Sequence, residues 1–562
     1  MSSSRRTPWT TAVWPTCSTK AGRRRRSRGR APGGAPPPVR RPTASRSTGG
    51  WPVSSPTATT AGETISATRP TPTVSCSTTR SATCAPAAWS PRTARSTTTP
   101  SCTRSTPGST VARRRRRRPR CTSCPRSAGS RLITRRGTRT VTAMSDATDT
   151  AFWHPFAAMG AVRHGEFVIT RGEDVWLWDD AGQRYLDATA SLWCVNVGHG
   201  RAEIADAVAA QMRELATYQT FGDVANRPAL ELTRRLADLA PVPGAKIFLV
   251  NGGGEAIDTA AKISREYFAR TGQPERTVLI SRRNAYHGTH GFGTALAGIP
   301  ANRLAAPFVP DVVQVEWNDP DALDAEIERI GPERVAAFFV EPVIGAGGVL
   351  PPPPGYVERV REVCTKHGVL LVIDSVICGF GRLGDWFGVD RFGIEPDLVT
   401  FAKGVTSGYV QLGGVVAHER VAEPFFADGA APFRHGATYS GHPTACAAAL
   451  ANLDIMENDE LLKRADGLEL PLHEAVLSLT DHPLVAEARG GTGVLAAIEL
   501  DPERLAADPG LPATVARHAR DRGVLVRPMV SSVAVSPPLT LADEHLDLLT
   551  DGLRAGLDGA AG

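Results

Sequence analysis

Acid is almost absent from the first quarter of the chain. Residues 1–143 hold 29 basic side chains against one carboxylate, Glu63, for a charge of +28. Residues 144–562 hold 35 basic and 56 acidic side chains, for −21. The formal +7 of the 562 residues is thus an average over two unlike parts. The longer part is acidic, which speaks against nucleic-acid binding. Long apolar runs are missing as well. No stretch of about eighteen apolar residues occurs, so no membrane-spanning helix is expected. No apolar signal core follows Met1 or Met144. Cysteine is sparse, with six of the ten before residue 144. Cys121-Thr-Ser-Cys124 has no second pair at zinc spacing. Cys194, Cys364, Cys378 and Cys446 are scattered singly, which suits a reducing cytoplasm. The histidines show no HExxH spacing, so no metal site is expected. No Gly-x-Ser-x-Gly elbow occurs, which argues against a serine hydrolase.

Residues 1–143 are Arg, Ser, Thr and Pro with Gly and Ala, including runs at Arg23–Arg26 and Arg113–Arg118. They lack apolar periodicity, and so few large aliphatic residues cannot offset chain entropy. A disordered basic tail, an organelle transit peptide and upstream DNA read from a start placed too early all fit this composition. The abrupt change at Met144-Ser-Asp-Ala-Thr, and a length excessive for a transit peptide, favour the third.

Residues 144–562 suffice for two domains. Helices are expected at 202–216, 226–240, 255–271, 321–330, 356–367 and 444–456. Strands are expected at 245–250, 277–281, 312–317 and 335–340. Apolar strands alternating with helices predict an α/β fold, with a mostly parallel sheet covered on both faces. Beyond residue 456 the pattern loosens into a smaller α+β unit, with which the N-terminal piece packs. The expected division is 144–218 and 456–562 for the smaller domain and 219–455 for the larger.

Val369–Asp374 reads as a buried strand ending on a carboxylate. Asp397–Lys403 reads as another, ending on an amine and followed by Gly404. In open α/β sheets the chemistry gathers beyond the carboxyl ends of the strands. Pyridoxal phosphate needs both groups: a lysine to hold its aldehyde as a Schiff base, and a carboxylate to keep its ring nitrogen protonated. A buried salt bridge would use the same pair, and the neighbouring segments decide for the cofactor. Asn251-Gly252-Gly253-Gly254-Glu255 follows a strand and opens a helix, as a phosphate site requires, although a plain turn would look similar. It lacks the Gly-Lys-Ser/Thr ending of a nucleotide loop. Tyr286-His287-Gly288 offers an aromatic to stack on a ring, or merely a tyrosine covering the core. Glu341-Pro342 ends another strand. Gly379-Phe-Gly381-Arg-Leu-Gly384 matches a dinucleotide fingerprint, but no helix of useful length fits the glycine-broken run 385–396.

In this order, the segments resemble the class III aminotransferases of pyridoxal-phosphate fold type I. The resemblance covers essentially all of 144–562 and none of 1–143. It implies a cofactor site of Gly253, Gly254, Tyr286, His287, Glu341, Asp374, Val376 and Lys403. Lys403, Asp374 and Tyr286 would serve catalysis, and Thr438 would reach the phosphate of a neighbouring subunit. Ser191-Leu-Trp193-Cys-Val-Asn-Val197 and Val376-Ile-Cys378 look most like the ω-transaminases that use pyruvate as acceptor. Trp193 would then line the substrate pocket, and Arg527 would bind a carboxylate or swing away for an apolar amine. The resemblance further implies a homodimer with shared active sites. Three positions depart from the family pattern: Ser375 stands for a glutamate, Gly252 and Gly254 for serines, and Gln411 for a proline. The first two imply weaker support for the cofactor. The nearest alternative is the transaminase of biotin synthesis that uses S-adenosylmethionine, with an aminomutase more remote. From another class, a non-catalytic binding protein on this scaffold is opposed by the intact Lys403 and Asp374.

Overall fold

The computed structural model describes residues 150–163, 165–303 and 309–562, so the expectation for 1–143 lies outside the described residues. Strands β1 (Ile169–Glu173), β2 (Trp176–Asp179) and β3 (Arg184–Asp187) form an antiparallel meander. Seven strands then build the central sheet: β4 (Lys246–Val250), β5 (Val278–Arg282), β6 (Val312–Val315), β7 (Val335–Val340), β8 (Leu370–Asp374), β9 (Leu398–Phe401) and β10 (Gly413–Ala417). Their order is β4-β10-β9-β8-β7-β5-β6. Only β10 runs against the others.

Every residue of β5, β7, β8, β9 and β10 is buried, which is why the first four read as largely apolar runs. The intervening helices carry clear punctuation. Helix Pro320–Ile330 starts at Asp319, whose carboxylate accepts from Asp321 N and Ala322 N. Helix Tyr356–His367 stops at Gly368 in the left-handed region, φ +63°. Between 385 and 396 there is only a short turn, Asp390–Phe392, so no dinucleotide-type helix opens there. Strand β10 has no counterpart among the sequence-based expectations. Its opening Gly413-Gly414 lowers β propensity, yet a Cβ on Gly414 would lie 2.5 Å from Phe401 Cζ. The core aromatic demands the residue that hides the strand.

The C-terminal strands are β11 (Val485–Arg489), β12 (Ala496–Leu500), β13 (Val524–Leu525), β14 (Arg527–Pro528) and β15 (Ser532–Val535). Four form a second sheet, β11-β12-β15-β14. β13 instead joins the N-terminal meander, pairing in parallel through Val524↔Leu186 and Leu525↔Asp187. Both ends of the described chain thus build the smaller α+β part. Helix Pro443–Asn458 runs continuously through residue 455, where a domain division was expected.

Arg382 ties these parts together. Its guanidinium is fully buried, and burial lowers its pKa to about 10, so it stays charged at neutral pH. Nη1 donates to Val494 O at 2.9 Å and Pro537 O at 2.7 Å, and Nη2 to Asn196 Oδ1 at 2.7 Å. One cation therefore joins the loop after β8 to the N-terminal and C-terminal segments. Arg382→Leu should destabilise the fold by about 2–4 kcal/mol, because three buried acceptors lose their donors. Calorimetry should show a melting midpoint several degrees lower; an unchanged midpoint would mean that the clamp carries no stability.

Candidate active site

The site forms where β5, β7, β8 and β9 end. Asp374 closes β8 and lies in register with Thr400 of β9. Its carboxylate is buried, so it must be matched by donors. Oδ2 lies 2.7 Å from His287 Nδ1. Oδ1 accepts from Val376 N at 3.1 Å and from Thr400 Oγ1 at 3.2 Å. His287 is buried too, and its Nε2 has no partner among the described residues.

Glu341 follows β7. Its Oε1 accepts from Tyr286 N and its Oε2 from Gly345 N, each at 3.0 Å. Burial pushes this carboxyl above the usual range; His287 and the two N–H groups oppose the shift, and Asp374 adds to it. Burial also raises the Tyr286 phenol, and the charge of Asp374 works in the same direction.

Lys403 lies just beyond β9, at the start of a single tight turn, Lys403–Val405. Its backbone is left-handed, φ +43°, a conformation costing a lysine on the order of 1–3 kcal/mol. Asn452 Nδ2 braces the turn, donating to Gly404 O at 2.9 Å and Val405 O at 3.2 Å. Desolvation lowers the pKa of the Lys403 ammonium, while Asp374 pulls it back up. Nζ sits 5.9 Å from the centre of the Trp193 ring.

A cavity of about 180 Å³ gathers Gly253, Gly254, Tyr286, His287, Glu341, Asp374, Val376 and Lys403 on one wall system, with Ile257, Gly288 and Ile377. These eight expected residues come from five separate segments. Trp193 is buried beside Lys403 without lining this cavity. Arg527 is exposed at the start of β14, close enough for its charge to act on Tyr286. Thr438 is exposed and lies outside the cavity of its own chain. Ser375 faces away as well: its hydroxyl donates to Phe387 O. Sequence reasoning passed over Thr400 and Asn452. Thr400 is the lone polar residue of β9, and that was the available signal. Asn452 lies on a remote helix and left none.

The aminotransferase class-III family profile matches residues 159–557. A putrescine–pyruvate aminotransferase of Pseudomonas aeruginosa is 40% identical over 420 residues, covering 71% of this chain and 91% of the relative. An (S)-enantioselective ω-transaminase from Thermomicrobium roseum has a TM-score of 0.70 at 40% identity, over 73% of this chain and 96% of that one. An amine transaminase from an uncultivated Pseudomonas species, in its pyridoxal-phosphate-bound form, has a TM-score of 0.69 at 37% identity, over 74% and 99%. The chain belongs to the class-III aminotransferases.

Proposed function

We propose that this transaminase moves an amino group from an amine or ω-amino acid to a keto acid such as pyruvate, with pyridoxal phosphate held covalently through Lys403 Nζ. The observation that carries this reading is the convergence of Lys403 and Asp374, from the ends of neighbouring strands, on one cavity. The residues fit the cofactor. A helix N-terminus opens at Gly253, whose first N–H groups have no intrahelical acceptor and suit a phosphate. A Cβ on Gly253 would meet Val376 Cγ1 at 2.8 Å, so the wall admits no side chain there. Unpartnered His287 Nε2 offers a buried polar atom for a bound group.

When bound, pyridoxal phosphate supplies the electron sink for the carbanion left by proton removal. Asp374 is the carboxylate for its ring nitrogen, and Tyr286 the aromatic that covers its face. A desolvated Lys403 loses its proton more readily, which favours the nucleophilic amine. Once displaced by substrate, the same Nζ carries the proton from the amine-bearing carbon. Trp193 walls the substrate space, and Arg527 binds the carboxylate of the keto acid. Use of pyruvate is supported by the name of the Pseudomonas aeruginosa relative. Thr438 serves a second copy of the chain, in keeping with its exposure outside its own cavity. Sedimentation at twice the chain mass is expected; a monomer with full cofactor affinity would refute that role.

Lys403→Ala should lower turnover at least about a thousandfold and abolish the visible absorption band of the covalently held cofactor. Retained transamination would sink the assignment. Arg527→Ala should raise KM for the keto acid about tenfold to a hundredfold, the value of a charge-assisted hydrogen bond. An apolar amine should be affected little, and equal losses for both substrates would remove the carboxylate role.

A further inference from the structure

The N-terminus of helix Gly253–Arg270 carries no side-chain donor of its own on its first two residues. Gly253 has no room for one. At Gly254 the space is taken by another residue: a Cβ there would meet His290 Nδ1 at 3.0 Å and Cε1 at 3.2 Å. The loop that brings His290 lies directly on the helix end, since a Cβ on Gly288 would sit 3.0 Å from Gly254 Cα. Glu255 turns its carboxylate back to Asn251 N at 2.9 Å. Asp258, one turn further on, is bonded to Phe292 N at 2.9 Å.

A phosphate at this helix end carries close to two negative charges near neutral pH. Among the basic residues lining the cavity, Lys403 is committed elsewhere and His287 to Asp374. We propose that His290 is the side chain that contacts the cofactor's phosphate, in the place a side chain on residue 254 would otherwise occupy. Its imidazole is exposed and free to turn a ring N–H towards the anion. Gly254 and His290 therefore act as a pair: the missing Cβ makes room for the ring, and the ring supplies the donor. This rests on the assignment of Gly253–Gly254 as the phosphate loop.

The test separates phosphate from ring. Dissociation constants of pyridoxal phosphate and of pyridoxal, which lacks the phosphate, are measured by quenching of tryptophan fluorescence. The ³¹P resonance of bound cofactor is recorded alongside, and circular dichroism checks the fold of each variant. His290→Ala should weaken pyridoxal phosphate about tenfold or more, shift the ³¹P resonance and leave pyridoxal unchanged. Adding Gly254→Ser to that variant places a hydroxyl at the vacated spot and should restore part of the loss. If His290→Ala weakens both ligands equally, or neither, the proposal is wrong. A wild-type protein that does not prefer pyridoxal phosphate to pyridoxal would overturn the phosphate loop itself, and His290 with it.

Discussion

A buried carboxylate at the carboxyl end of a central strand, Asp374, is the constraint on which the site depends. Taking such a group out of water is costly unless donors surround it. Thr400, His287 and the N–H of Val376 meet that demand from β9, from the loop after β5 and from the chain just ahead. The sheet order does the rest. Reading across β4, β9, β8, β7 and β5, the strand ends deliver the glycine loop, Lys403, Asp374, Glu341 and the Tyr286-His287 pair. A one-residue slip between β8 and β9 would turn Thr400 to the other face and leave Asp374 short of a donor.

The same buried surroundings act on each titratable group according to its charge. They push Glu341 towards its neutral acid and Lys403 towards its neutral amine. Asp374 then acts on both in one direction, raising each, so it deepens the shift on Glu341 and moderates the one on Lys403. Burial thus inclines both groups to neutrality, as is common where titratable side chains share a cleft.

What could be read in the sequence was whatever runs along the chain. Val335–Val340 and Leu370–Asp374 announced themselves as apolar runs, and the polar residues that end such runs pointed to Asp374, Glu341 and Lys403. What depends on neighbours across the fold stayed hidden. β10 was masked by glycines that the close approach of Gly252, Phe248 and Phe401 explains. Thr400 gains meaning through its register with Asp374, and Asn452 through a turn 48 residues earlier. Ser375, standing where the family has a glutamate, reads only as weaker support for the cofactor. Alternation along the chain instead turns it to Phe387. The vacancy at Gly254 was visible, but its filling by His290 was not, because 36 residues of chain separate them.

A second buried carboxylate organises the chain after β3 in the same manner. Asp187, at the end of β3, accepts from Thr189 N and Thr189 Oγ1 through Oδ1, and from Ser191 N through Oδ2, with His199 Nε2 also 2.8 Å from Oδ2. These bonds hold a run in which Ala190, Ser191 and Trp193 all take positive φ, from +45° to +62°. No side chain adopts that backbone cheaply, so the turn persists because Asp187 over-determines it. The constraint then reaches further. Asp187 pairs in register with Leu525 of β13, two residues before Arg527. Trp193 thus follows β3, and Arg527 opens β14 just beyond β13, the strand paired with β3, while Asp374 ends β8 and Lys403 follows its neighbour β9. Each of these two runs is held by one desolvated carboxylate, and Arg382 is the buried clamp that joins the loop after β8 to the flanking N- and C-terminal segments.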